Sequence, residues 1–452
     1  MAIEYKNKIN YEILRKIKSE LEESKLPYKV DVLDINNISD EFRDIIKKKM
    51  IVFPLKFSDK IPKLRFKEFS GNWEEKELNK VAKINPKSIE LPNEFIYIDL
   101  ESVEKGLLVK SNKILKIEAP SRAQRLLSNE DILFQTVRPY QKNNYFFELG
   151  DNYVASTGYA QIRANESSTF LYQKLHTSKF VNKVLLRCTG TSYPAINSTD
   201  LSKIKIDIPK KQEQEKIALF LTSVDTKIEQ LTKKETLLKE YKKGVMQKIF
   251  NQEIRFKADG GNNFPKWNDE QFGNLFNFLR GSSLSKSDLT HNGINKCIHY
   301  GELFTRYNEK ITNVVSSTNL TDGQMSLVGD ILMPSSDVTP QGLATASVLL
   351  ENDVIVGGDT NILRPKIEIN SLFISYFLNM NKKEIMKLVT GTTVKHIYNK
   401  DISKLKITLP CIEEQTKISN FLSSIDTKIE KIQKQLEQTK EFKKALLQQM
   451  FV

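Results

Sequence analysis

This chain is poor in the residues that staple, ligate or anchor. Its 452 residues include three cysteines, four histidines and two tryptophans. Cys188, Cys297 and Cys411 lie far apart and are odd in number, which speaks against a disulfide frame and for reduced thiols in a cytoplasm. The histidines form no metal spacing, and Cys297 with His299 is too isolated a pair to count, so no metal site is expected. No apolar stretch approaches the ~18–20 residues of a membrane span. The opening MAIEYKNKINYEIL lacks the apolar core of a secretion signal. The expectation is a cytoplasmic protein that contacts no membrane.

What the chain has is a repeat. Residues 201–250 align without a gap to residues 402–451, about half of them identical and most others swapped like for like. In the first copy apolar residues recur in alternating four- and three-residue steps at Ile217, Leu221, Val224, Ile228 and Leu231, continuing through Leu238, Val245 and Ile249. The second copy keeps phase at Ile418, Leu422, Ile425, Ile429, Ile432 and Leu436, then Leu446 and Met450. A period near 3.5 is that of a coiled-coil seam. Glu235, Lys242, Thr439 and Lys443 interrupt it. Each helix is expected to begin just after Pro209 or Pro410, with Glu213, Glu215, Glu413 and Glu414 near its positive end. A helix of roughly 40 residues spans about 60 Å. Two readings stay open: the matched stripes bury each other as an antiparallel pair, or each packs on its own domain.

The repetition extends upstream. TGTSYPAINSTDLSKIKIDIP (189–209) aligns with TGTTVKHIYNKDISKLKITLP (390–410), each reading as a Gly-Thr loop, an Ile-rich strand and the helix. DILF at Asp131 matches DILM at Asp330, and RFK precedes each tryptophan, Trp73 and Trp267. Each module therefore runs tryptophan, variable part, Gly-Thr loop, strand, long helix. The variable parts alternate runs such as FIYIDL, DILFQTV and DVIVGG with Gly, Asn and Ser turns. The expected fold class is α+β: two mixed α/β domains separated by a pair of long antiparallel coiled-coil helices, related by a pseudo-twofold. The expected divisions are 1–60, 61–178, 179–250, 251–372 and 373–452.

The net charge of +13 invites a nucleic-acid partner. Its excess sits mostly on residues 179–250 (+7) and 373–452 (+6), while 251–372 is net acidic.

The pattern at Pro209, Glu213, Gln214, Lys216, Ile217, Phe220, Leu221, Asp225, Lys227 and Ile228 resembles the helical region of type I restriction–modification specificity subunits. Pro410, Glu414, Gln415, Lys417, Ile418, Phe421, Leu422, Asp426, Lys428 and Ile429 repeat it. The TGT loops, the RFK–Trp segments and YGELFTRY (300–307) are similar to the same family, over about residues 61–452. The resemblance implies two target-recognition domains, each reading one half of a split, asymmetric site on double-stranded DNA across a gap set by the helices. It further implies two modification subunits that methylate adenine with S-adenosylmethionine, and ATP- and Mg-dependent restriction subunits. It implies no cofactor in this chain and no catalysis by it.

Base readout needs donors and acceptors on loops that enter a groove, and phosphate contact needs cations and small hydroxyls. In the first domain Lys110, Lys113, Lys116, Arg122 and Arg125 offer charge. QTVRPYQKNNY offers Gln135, Arg138, Gln141, Lys142, Asn143, Asn144 and Tyr145, either as a readout loop or as a solvated polar turn. The acidic second domain has Ser282, Ser283, Ser285 and Lys286 in one loop. Tyr300, Arg306 and Tyr307 stand in a second, and Ser335, Ser336, Thr339 and Gln341 in a third, which also reads as an ordinary Pro/Gly turn. Thr191, Ser192, Tyr193, Thr392, Thr393 and Lys395 on the Gly-Thr loops either touch the DNA backbone or only position the strand.

Residues 1–60 have no counterpart in the repeat. They look like the closing part of a minimal nucleotidyltransferase without its Gly-Ser turn and paired acids, so Asp31 and Asp34 receive no role; a plain helical extension is the other reading. Two alternatives to a DNA-reading subunit remain. A single-chain DNA-modifying enzyme would need a Gly-rich cofactor turn and an Asn/Asp-Pro-Pro-aromatic run, and the lone Asn85–Pro86 lacks the rest. A coiled-coil scaffold without a DNA role would show no salt-dependent affinity for duplex.

Overall fold

The computed structural model describes residues 60–452 except 88–89, 283 and 338–339, together with 2–3, 33–34, 39–40 and 43. These form two compact units, Met1–Pro62 with Val452, and Lys63–Phe451. In the first, Ala2–Ile3 pairs in parallel with Leu33–Asp34. The nucleotidyltransferase reading of residues 1–60, with Asp31 and the side chain of Asp34, lies outside the described residues.

The second unit is organised by two long helices, Lys211–Phe250 and Ile412–Gln449. Each follows its proline by two residues, because proline donates no backbone N–H and holds the preceding residue extended. The extended residues are the short strands Lys205–Ile208 and Lys406–Leu409.

The helices are antiparallel. Lys443 Nζ lies 2.5 Å from Asp225, Gln433 Nε2 donates to Glu235 at 2.9 Å, and Lys242 Nζ lies 2.7 Å from Asp426. One residue number climbs as its partner's falls. Asp225 and Asp426 occupy the same place in the repeat, as do Lys242 and Lys443, so the outer pairs are one contact made twice about a pseudo-twofold. Glu235, Lys242 and Lys443, which interrupt the apolar stripe, supply these cross-links, and a polar contact at a seam fixes register.

Between the cross-links, Leu231, Ile432 and Leu436 bury one another with Ile228 and Leu238. Toward the helix ends the stripe changes partner. Ile418, Leu422, Ile425 and Ile429 share a core with Trp267, Phe272 and Phe373 of the attached domain, and Ile217, Leu221 and Val224 are equally buried. Mutual pairing and packing on an attached domain thus each hold over part of the length.

The buried first-turn glutamates anchor the modules. Glu213 accepts from Arg65 at 2.7 Å through both carboxylate oxygens and from Trp73 Nε1 at 3.3 Å. Glu414 accepts from Arg255 at 3.2 and 2.6 Å and from Trp267 Nε1 at 3.0 Å. The RFK–Trp repeat is the sequence trace of this cluster. Each domain also reaches the far end of the other helix: Phe451 packs on Phe170 at 5.4 Å, and Phe250 packs on Phe373 at 5.4 Å.

Among the described residues the larger sheets are two four-stranded ones in the first domain and two five-stranded ones in the second. Ile132–Gln135 and Ile331–Pro334 are interior strands in matching places. The aspartate before each is fully buried and grips a neighbouring strand's arginine through both oxygens: Asp131 with Arg163 at 2.8 Å, and Asp330 with Arg364 at 2.9 and 2.7 Å. The DILF/DILM repeat is therefore a framework motif, since a buried carboxylate is tolerable only when paired and hydrogen-bonded.

Candidate nucleic-acid interface

In the first domain the QTVRPYQKNNY segment and the Gly-Thr loop form one surface. Arg138 N–H donates to Pro194 O at 2.7 Å, Ile196 N–H to Thr136 O at 3.0 Å, and the Arg138 guanidinium stacks 4.1 Å from the Tyr193 ring centroid. Arg138 and Lys142 adopt positive φ (+53° and +56°), turning the segment twice within five residues. Gly190 (φ +88°) makes the tight return of the Gly-Thr loop, where a side chain would crowd Tyr193 O at 3.2 Å.

The segment's side chains divide. Gln135 is buried; its Nε2 donates to Gln141 Oε1 at 2.8 Å and its Oε1 accepts from Asn143 N–H at 3.1 Å. Asn144 is buried, accepting from Gln135 N–H at 2.9 Å, with Nδ2 3.4 Å from His176 Nε2. Asn143 accepts from Lys105 N–H at 3.0 Å, Lys142 donates to His176 O at 2.9 Å, and Tyr145 is buried with its hydroxyl pKa raised by that burial. The polar groups of Gln135, Asn143, Asn144 and Lys142 are thus used to close the loop. Arg138, Gln141, Tyr140 (50% exposed) and Tyr193 (63% exposed) remain at its surface.

Elsewhere in this domain Lys110, Lys113 and Lys116 stand in exposed ion pairs with Glu101, Glu94 and Glu90. Such pairs are held weakly in water, so each lysine can exchange its carboxylate for a phosphate at little cost. Arg122 is exposed, while Arg125 is half-buried, its pKa lowered by desolvation and its Nε without a hydrogen-bond partner.

The second domain repeats the juxtaposition with other residues. Ser336 and Asp337 pair antiparallel with His396 and Lys395, and Ile397 N–H donates to Ser335 O at 3.0 Å. A cavity of about 270 Å³ opens there among Arg280, Ser335, Asn361, His396, Tyr398 and Lys400. The Oγ of Ser335 and Oγ1 of Thr360 are buried without a hydrogen-bond partner, His396 stacks on Tyr398 at 6.1 Å, and Lys400 lies 5.6 Å from that ring. Ser336 is buried and Gln341 exposed; Ser283 and Thr339 lie outside the described residues.

The other expected residues of this domain stand apart from that cavity's lining. Ser282 Oγ accepts from Gln324 N–H, Ser285 caps a short turn with Asp288, and Lys286 is exposed beside it. Exposed Arg306 pairs with Glu302 at 3.6 Å, Tyr307 accepts from Val315 N–H, and Tyr300 is half-buried. Arg280, His396, Tyr398 and Lys400 escaped sequence reasoning. The aromatic and basic HIYNK run after the second Gly-Thr loop was the available signal.

Among the described residues no three His, Cys, Asp or Glu side chains converge as metal ligands, and no helix is long and apolar enough to cross a membrane.

The family model for the type I restriction modification DNA specificity domain matches residues 70–240 and again 265–441. The chain belongs to that family. Among curated proteins it is similar to the type I restriction enzyme MjaVIII specificity subunit of Methanocaldococcus jannaschii, 26% identical over 283 residues. That match covers 57% of this chain and 64% of the relative, so the chain spans less than two thirds of the relative's length. Two solved structures share the fold. A type I restriction–modification system S subunit from M. genitalium aligns with TM-score 0.57 at 16% identity, covering 87% of this chain and 99% of the other. A chain from a type I R-M system structure concerned with complex assembly aligns with TM-score 0.50 at 22% identity, covering 83% and 96%.

Proposed function

We propose that this specificity-family chain reads a bipartite, asymmetric DNA site for a type I restriction–modification complex. Its first domain reads one half through the Arg138–Tyr193 surface, and its second reads the other through the cavity edged by Arg280, Tyr398 and Lys400. The helix pair holds the two at a set separation. In this reading adenine methylation belongs to two modification subunits holding S-adenosylmethionine, and cleavage to restriction subunits using ATP and Mg. The observation that carries it is two chemically unlike surfaces in matching places at opposite ends of one antiparallel helix pair.

Domain exchange tests it. Residues 61–178 are replaced by the matching domain of another specificity subunit, and methylated sites are mapped in a host that also carries the modification partner. One half of the site changes and the other stays. A change in both halves, or in neither, overturns the proposal.

A further inference from the structure

The pseudo-twofold makes the two domain–helix junctions directly comparable, and they differ in charge. At the second-domain junction a cavity of about 220 Å³ brings Lys239 and Lys242 together with Glu309, Asp426 and Glu430. Lys239 pairs with Glu235 at 2.6 Å, and Lys242 with both Glu309 and Asp426. The lysines there are matched by carboxylates.

At the first-domain junction Lys440 and Lys443 occupy the places of Lys239 and Lys242. The cavity is about 410 Å³, and its charged lining is Lys142, Lys179, Lys440, Lys443 and Lys444 with no carboxylate. Lys443 keeps its Asp225 at 2.5 Å. The acid that serves Lys239 is gone, because Leu436 stands where Glu235 stands in the other copy. No Glu309 equivalent lines the cavity; the domain contributes Lys142 and Lys179. Lys179, Lys440 and Lys444 are exposed, and Lys444 makes only a loose, exposed pair with Glu441 at 3.9 Å. The crowding is felt electrostatically: burial first and then Lys444 lower the Lys142 pKa, and burial followed by Lys443 and Lys142 holds His176 at about 4.

We infer that this lysine-lined junction is a phosphate-binding extension of the first domain's DNA surface, with no counterpart at the second. This role rests on the DNA-reading proposal and deepens it. Continuity favours duplex DNA over an acidic protein: Lys142 belongs both to this cavity and to the Arg138–Lys142 turn, so a backbone leaving the reading loop runs onto the last turns of the second helix. Lys142 and Lys443 are tied to His176 O and Asp225. The exposed ammonium groups of Lys179, Lys440 and Lys444 are flexible and held loosely at most. That suits a row of phosphates, which carry no base information and strengthen binding to any sequence. The complex then holds its two half-sites with unequal affinity for backbone.

The test compares Lys440→Gln with its pseudo-symmetric twin Lys239→Gln in the full chain. Affinity for a fluorescently labelled random-sequence duplex is measured across a salt series, with thermal melting to show that both variants fold. A lost phosphate contact lowers the log–log salt slope by about 0.9. The expected result is a fall of about that size for Lys440→Gln and none for Lys239→Gln. The triple variant Lys179→Gln, Lys440→Gln, Lys444→Gln should lower the slope by about two to three contacts' worth. If wild-type protein binds duplex with a salt slope but the twins behave alike, the inference fails and the reading proposal stands. If wild type shows no salt-dependent binding, both fail.

Discussion

Lys242 meets Asp426 across the helix pair at 2.7 Å, while Glu309 and the ring of Tyr376 close over the same amino group at 2.8 and 5.0 Å. Tyr376 also donates to Asp426 at 2.5 Å. The matching contact, Lys443 with Asp225, has Gln173 as its domain-side donor at 2.7 Å and is more open to water. One pair therefore ties two helices to a domain more tightly than its twin.

Lys242→Met removes the cation from a carboxylate whose pKa burial already raises. Breaking a buried pair by deleting one partner costs about 3–5 kcal/mol, whereas Lys443→Met at the wetter site costs about 1 kcal/mol. Urea unfolding of both variants measures the difference. A group whose folded pKa is raised contributes stability below its unfolded pKa and loses it as pH rises through the folded value. Lys242→Met therefore regains stability as pH falls into the carboxylate range.

His176 gives the opposite slope. Its Nδ1–H donates to Tyr172 O at 2.8 Å, so Nε2 is the lone-pair nitrogen facing Asn144. Burial, chiefly, lowers its pKa to about 4. The unfolded chain binds this proton near pH 6.5 and the folded chain only near 4, so folding stability falls as pH drops through that window. The loss reaches about 2–3 kcal/mol at the acid end. Thermal melting of His176→Gln at pH 7 and pH 4.5 lacks this component; an unchanged pH dependence contradicts it.

Arg138→Ala removes the cation that Tyr193 orients. Affinity for the recognised site falls by about 1–3 kcal/mol if the arginine meets a base edge. Tyr193→Ala gives a smaller loss, and the two are not additive because they share one contact. Binding titrations of both singles and the double decide it. Additive losses would separate the residues.

The helix pair was legible because a matched apolar period and a constant offset appear in one dimension. The cross-links were not, because Asp225 and Lys443 lie far apart in sequence and meet only once the chain folds back. The DILF and RFK–Trp repeats were visible, yet their role in burying Asp131 and Glu213 needed the three-dimensional partners Arg163 and Arg65. The proposed reading loop was legible as a place but not residue by residue. Gln135 and Asn144 have the same chemistry whether they face a base or close a turn. The deciding fact, left-handed backbone at Arg138 and Lys142, falls on residues that do not advertise it as glycine does. In the second domain the expectations rested on Ser- and Gln-rich loops and did not include the basic and aromatic rim at Arg280 and His396–Lys400, which depends on a crossing between distant segments.

The central claim is that the antiparallel rod sets the gap between two independent readers. Removing residues 230–236 and 431–437 together keeps Asp225 opposite Lys443 and Lys242 opposite Asp426. It shortens the rod by one heptad, about 10 Å, or about three base pairs of duplex. Mapping methylated sites in cells carrying this variant and its modification partner tests the claim directly. The account predicts both half-sites unchanged and the gap between them shorter by about three base pairs. An unchanged gap, or an altered half-site, would contradict it.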